Sequence, residues 1–272
     1  MANLLTKRVV YYLLTALIAI TFILPLAWAV VNSIAPNSAT SQSDGYGLGN
    51  YGALAVYGEG LTTYLSNSVI LTFVAVAACL IAATMAGYAI ARFTFAGKGL
   101  MFVLVLSILM VPYAALLIPL VVWMSELGLD NTLVGVGFVL ALFQLPFGTF
   151  VMRNAFESIP SELEEAAKLD GCGTFATFMR VMVPSVKAPM VTVGLFVFLN
   201  AWNDFMVPLY LLGPQNAPLP LAMVNMRQQV MGVIDYGLTT AGVVVLAIPA
   251  VILFLALQKY YIKGLISGAV KG

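Results

Sequence analysis

The chain has 272 residues, 62% of them hydrophobic and 8% charged, with 12 basic against 11 acidic side chains and no histidine. A soluble domain carries about 25% charged residues, so this chain cannot keep its whole surface in water and reads as a multi-span membrane protein. The near-neutral balance gives no sign of nucleic-acid binding. The lack of histidine removes the usual zinc constellations, so no metal site is expected.

Met1 to Arg8 is a short basic start. Val9 to Val31 is long enough to cross about 30 Å of hydrocarbon as a helix. A cleaved signal peptide is the rival reading, since Lys7 and Arg8 precede an apolar core. The run exceeds a typical signal core and no convincing small-residue cleavage site follows, so an uncleaved first span is expected. Asn32 to Ser66 is polar, rich in Gly, Ser, Asn and Tyr, carries Asp44 and Glu59, and demands no regular domain. Within it Leu61 to Tyr64 is expected to begin a short interfacial helix. The second span is Val69 to Ile90, with Cys79 as packing and with Arg92 and Lys98 at its cytoplasmic end. The third runs from Leu100 to Val122 and contains Pro112 and Pro119. Proline removes an internal hydrogen bond and kinks a helix, and two readings compete: a kink that shapes a path through the bundle, and one that only fits the bundle.

Glu126 to Asn131 is a short loop, and Thr132 to Met152 is the fourth span, with Pro146 inside it. The fifth is Ala188 to Pro208. Leu209 to Gly237 leaves the bilayer, with Leu221 to Val233 as a short re-entrant or surface helix. Leu238 to Leu257 is the sixth span. The fold class is therefore all-α: a polytopic membrane protein with six transmembrane helices, a single domain over residues 1–272, and a cytoplasmic loop of two short helices at 154–187. With the N-terminus in the cytoplasm, eleven basic residues fall inside and only Arg227 outside. That is a strong positive-inside bias, and it places both termini in the cytoplasm. The chain has no trustworthy internal repeat and no low-complexity tract.

The densest charge lies between spans four and five. Pro160, Ser161 and Glu164 have the capping-box arrangement that starts a helix. Ser161 to Leu169 reads as a helix of good formers, Asp170-Gly171 as its stop, and Thr174 to Val183 as a second helix closed by Pro184. Cys172 reads as a free cytoplasmic thiol. Such a pair buries little surface by itself, so it is presented to a partner. The plain alternative is a capped amphipathic hairpin lying on the membrane surface.

The run Glu165-Ala166-Ala167, with Gly171 and Val183-Pro184 beyond it, resembles the coupling loop of ATP-binding-cassette importer permeases. Its flanks, Asn154-Ala155-Phe156, Ile159-Pro160 and Phe198 to Leu209, are similar to the carbohydrate-importer branch and its maltose-type second permease. So are Val111-Pro112, Pro119-Leu120 and the tail from Gly264 to Gly272. The resemblance covers the chain from about residue 10. It implies a bacterial inner-membrane transport subunit, not an enzyme. It also implies a homologous second permease, two ATP-binding subunits and an extracytoplasmic solute-binding protein. ATP and Mg would sit on the partner subunits, and none would be bound by this chain, which lacks a phosphate-binding GxxxxGK[ST] segment. In that reading Glu165 pairs with a basic partner residue, and Ala166 and Ala167 keep the helix narrow. Gly171 allows a close turn where a side chain would clash, and Asp170 beside it is counted among the coupling residues. Two departures are Cys172, where a small residue is common, and Val183 ahead of Pro184, where Leu is common.

Asn200, Trp202, Asn203 and Asp204 form the second candidate site. Polar groups in hydrocarbon face a cavity or the bundle interior. Seventeen residues from Lys187, about 25 Å of helix, put Asp204 near the outer interface. An aromatic face and amides suit a sugar, whereas an interfacial Trp anchor with polar neighbours is the plain alternative. The expected cargo is a di- or oligosaccharide. Glycerol phosphate is the rival within the class, and basic groups to line its path are almost lacking. A structural subunit that transports nothing is a third reading.

Overall fold

The computed structural model describes residues 2–36, 45–229 and 235–269, with side chains described at 7–36, 45–226 and 235–258. Asp44 and the charges counted at Arg227, Lys259, Lys263 and Lys271 lie outside the described side chains. Every regular element among the described residues is helical. The chain divides into two compact units, 1–62 with 223–248 and 63–222 with 249–272.

The first unit holds α1 (Ala2–Ser33), α2 (Gly49–Val56) and the start of α13 (Tyr236–Ala269). The predicted span at Val9–Val31 lies wholly within α1, whose described side chains, Leu13, Phe22 and Trp28 among them, are almost all exposed. The polar stretch after it is more ordered than expected. Asn50, buried in α2, donates to the carbonyls of Ser33 and Ala35 at 3.0 Å, and the hydroxyls of Ser33 and Tyr51 meet at 2.8 Å.

The second unit carries α3 (Leu61–Arg92), α4 (Lys98–Ser107), α5 (Tyr113–Glu126), α6 (Leu133–Glu157) and α10 (Lys187–Asn203). Between α6 and α10 lie α7 (Glu162–Leu169), α8 (Thr174–Thr177) and α9 (Val183–Ser185). After them come α11 (Met206–Leu211) and the first residues of α12 (Leu219–Gln229), most of which belongs to the first unit. The helix expected to begin at Leu61–Tyr64 and lead to the second span does begin there, as the first turn of α3, continuous with the span. The core joins α3, α6 and α10 through Leu71, Ala75, Val136, Val139, Met152 and Val193. Glycines let α3 and α6 approach closely. A Cβ added to Gly137 would meet Val74 at 2.7 Å, one on Gly148 would meet Ala83 at 2.9 Å, and one on Gly87 would meet Met152 at 2.7 Å. Close crossing at small residues gives van der Waals contact where lipid removes the hydrophobic drive between helices.

Four described helices are long and apolar enough to cross a membrane: Lys7–Ser33, Leu61–Arg92, Leu133–Glu157 and Tyr236–Gln258. Two further candidates are bent pairs, Lys98–Met110 with Tyr113–Glu126 at 105° and Thr174–Ser185 with Lys187–Asn203 at 76°, and counting each as one span brings the total to six. The expected third span is thus broken, not merely kinked. Pro112 lacks an N–H and drives Val111 into extended backbone (φ −78°, ψ 127°), so hydrogen bonding stops there. Pro119 and Pro146, read as kinks as well, lie inside α5 and α6, which run through them without a break. The fifth span ends at Asn203, earlier than Pro208, which belongs to α11.

Candidate functional site

The loop after α6 folds as two arms, with starts and stops unlike those expected. Ser161 makes no capping bond, because its backbone is already helical (φ −66°, ψ −25°) and a capping side chain needs the extended conformation. The first turn is closed by backbone bonds from Glu164 and Glu165 to the Ser161 carbonyl. Glu164 turns instead to Arg92 at the end of α3, with Nε 3.1 Å from its carboxylate. The same guanidinium donates to the Ile159 carbonyl at 2.7 Å. One cation therefore ties the end of a long apolar helix to both sides of Pro160. Beneath it, Tyr88 packs against Phe156 and Phe178 with ring centroids 5.3 and 4.8 Å apart.

At the other end of α7, Gly171 has φ +82°. Cys172 N–H donates to the Ala167 carbonyl at 2.9 Å and Gly171 N–H to Lys168 at 3.0 Å, the paired bonds of a Schellman stop. A Cβ on Gly171 would meet nothing within 4 Å. Within this chain the glycine is needed for its backbone angle, since no neighbour of its own crowds that side. Pro184 does not close the second arm. A wide π turn at Phe178–Met182 precedes it, where the proline's missing N–H leaves the Arg180 carbonyl without its usual donor. The arm continues to Ser185, and the chain turns at Val186.

Of the residues assigned to this loop, Glu165, Ala166, Asp170, Gly171 and Pro184 are exposed, while Ala167 is buried where α7 packs on the second arm. Ala167 therefore faces its own chain. Leu169 (89% exposed), Phe175 (73%), Met179 and Leu163 add an apolar surface to the same loop. Exposed apolar side chains and the exposed Glu165 carboxylate thus share one loop.

The second candidate site divides in two. Asn200 and Asp204 line one cavity of about 350 Å³ together with Tyr113, Phe143 and Gln144. Trp202 is buried on another side of α10. It stacks on Phe198 with centroids 5.6 Å apart and lines a separate, almost wholly apolar cavity. Asn203 is exposed and returns its amide to the Leu199 carbonyl at 2.7 Å. The helical period explains the split, since positions 200 and 204 share a face and 202 lies across from them.

Two helix breaks meet at this cavity. Tyr113, the first residue after the Pro112 break, donates its hydroxyl to Asp204 Oδ2 at 2.6 Å. Asp204 Oδ1 accepts from the Val207 N–H at 2.9 Å, in the first turn of α11 just past the end of α10. Sequence reasoning missed Tyr113, Gln144 and the Arg92–Glu164 pair. The available signals were a tyrosine next to a mid-span proline and a glutamine inside an apolar helix. Among the described residues no cluster of Cys, Asp and Glu stands close enough to hold a metal ion.

Residues 83–267 match the family of binding-protein-dependent transport system inner membrane components. The chain is 35% identical over 211 residues to the arabinooligosaccharides transport system permease protein AraQ of Halalkalibacterium halodurans, covering 77% of this chain and 74% of that one. It is 31% identical over 272 residues to the trehalose transport system permease protein SugB of Mycobacterium tuberculosis, covering 98% and 99%. Its fold is similar to that of a chain in a bacterial ABC transporter involved in the import of the acidic polysaccharide alginate. The TM-score is 0.80 at 22% identity, over 94% of this chain and 96% of that one.

Proposed function

The chain belongs to the binding-protein-dependent transport inner-membrane family, a transport component and not an enzyme, and on that premise we propose that it is one of two permease subunits of an ATP-driven saccharide importer. The loop of α7 and the second arm carries the reading. It exposes Glu165 beside Leu169 and Phe175, and it is locked to α3 by Arg92 and to α6 by the Tyr88–Phe156–Phe178 cluster. A partner ATPase docked there moves α3 and α6 with the loop, because the arms are tied to both helices. Closure of the ATPase pair around ATP and Mg on the partners opens the cavity outward to a solute-binding protein. Hydrolysis resets it inward, as a two-state element biased from one end. This chain orients the loop and lines the path, and the termini lie in the cytoplasm.

Arabinooligosaccharides and trehalose, the cargoes in the names of two relatives, set the substrate class tried first. Glycerol phosphate is disfavoured by the polar cavity, whose lining contains no basic residue. The test is solute-stimulated ATPase of the reconstituted importer, wild type beside Glu165→Arg, with neutral saccharides and glycerol phosphate delivered by the binding protein. Saccharide-dependent stimulation that is lost in the variant supports the reading. Stimulation by glycerol phosphate alone overturns the saccharide assignment, and stimulation that survives Glu165→Arg overturns the docking role.

A further inference from the structure

Cavities along the helices of the second unit differ in chemistry. Those beside Trp202 and Trp123 are lined almost wholly by carbon, whereas the one between the two helix breaks offers several hydrogen-bonding groups. Its polar set is Tyr113, Gln144, Asn200 and Asp204, and among its lining residues none is cationic. Asp204 accepts from Tyr113 and from the Val207 N–H, and both atoms of its carboxyl group are thereby aimed. Asn200 gives one amide hydrogen to the Phe196 carbonyl, which leaves its oxygen and second hydrogen free. The Phe143 ring packs 4.6 Å from that of Tyr113 and adds an apolar wall.

Resting on the saccharide reading above, we propose that this cavity is a sugar subsite selective for neutral over acidic saccharides. Asp204 accepts sugar hydroxyls, with the Tyr113 hydroxyl holding one of its acceptor positions in this structure, and Gln144 and Asn200 bind the hydroxyls alongside. A pyranose edge presents adjacent groups that donate and accept in turn, and this set answers them with a two-oxygen acceptor and two amides. A uronic carboxylate placed here is stripped of water without a cation to pair with, and an unpaired buried charge is strongly disfavoured. Two independent backbone breaks converge on the site. Irregular backbone at membrane depth is tolerated where it is buried or lines a cavity, and the breaks let Tyr113 and Asp204 approach from different spans.

The experiment uses the assembled importer without its binding protein, so that selection upstream cannot supply the answer. The probes are the neutral saccharide that best stimulates the importer and the same saccharide oxidised at its primary hydroxyls to the uronic form. Binding of each is measured by equilibrium dialysis to wild type, Gln144→Arg and Asn200→Arg. The neutral form is expected to bind wild type at least tenfold tighter than the uronic form. An arginine at position 144 or 200 should cut that preference at least tenfold by supplying the missing cation. If one arginine variant does not assemble, the other carries the test. Equal binding of the two forms to wild type, or an unchanged preference in the arginine variants, overturns the subsite and leaves the saccharide importer standing. Failure of every saccharide to stimulate ATPase removes the wider reading before this experiment begins.

Discussion

Replacing Arg92 with alanine tests whether the loop is driven through α3. The Arg92 and Glu164 side chains are only 15% and 13% exposed, and the pair is made at 3.1 Å. Beside this ion pair, another nitrogen of the guanidinium donates a hydrogen bond to the Ile159 carbonyl at 2.7 Å. A hydrogen bond from a charged donor contributes about 1.5–3 kcal/mol, and breaking a fully buried pair costs about 3–5 kcal/mol. Because neither group is fully enclosed, about 3 kcal/mol of loop anchoring is the reasonable total. At 1.4 kcal/mol per factor of ten, that raises the population of loops detached from α3 roughly a hundredfold. Amide exchange over Glu164 to Gly171 reads this directly, and exchange there should quicken by about that factor while the α3–α6 core stays protected. Stimulated ATPase should fall with it, since ATP-driven motion then reaches α3 only through the packing of Tyr88 on Phe178. A double-mutant cycle with Glu164→Gln should show non-additivity of about 1 kcal/mol or more. Unchanged exchange across the loop in Arg92→Ala would refute the anchoring argument.

Gly171→Ala should cost about 1–2 kcal/mol from the φ of +82° alone. Gly171→Asn should cost less, because asparagine tolerates that region; comparing the melting temperatures of the two purified complexes checks the difference. Gly87→Ala should destabilise by about 1–3 kcal/mol through overpacking, its new carbon falling 2.8 Å from the Arg153 backbone nitrogen. Gly45→Ala, with nothing within 4 Å, is the matched control in the same thermal melt. Glu165→Arg should leave the melting temperature within about 1 °C, as expected for an exposed residue, while the ATPase subunits are lost on size-exclusion chromatography.

The membrane class, the helical content and the order of apolar runs were legible in the sequence because they follow from composition and local hydropathy, which need no partner. The Gly171 stop was legible for the same reason, since a positive φ is a property of one residue and its neighbours. The capping box was not. A Ser-x-x-Glu pattern specifies a cap only if the glutamate has no stronger partner, and Arg92, 72 positions away, is that partner. Likewise Trp202 belonged to the segment singled out, yet the turn of α10 carries it to a different cavity from Asn200 and Asp204.

Sequence alone therefore determined that this chain spans a membrane and in what order its apolar runs lie, and it singled out the charged loop between the fourth and fifth of them. Only the tertiary structure decided that Pro112 breaks its span outright while Pro119 and Pro146 sit in unbroken helices. It also decided that Tyr113 meets Asp204 across 91 positions and that Arg92 holds the loop. The physical reason is range. Hydropathy and backbone angle act over a few residues and are written locally, whereas a polar pair in an apolar bundle forms wherever packing brings two separated groups together.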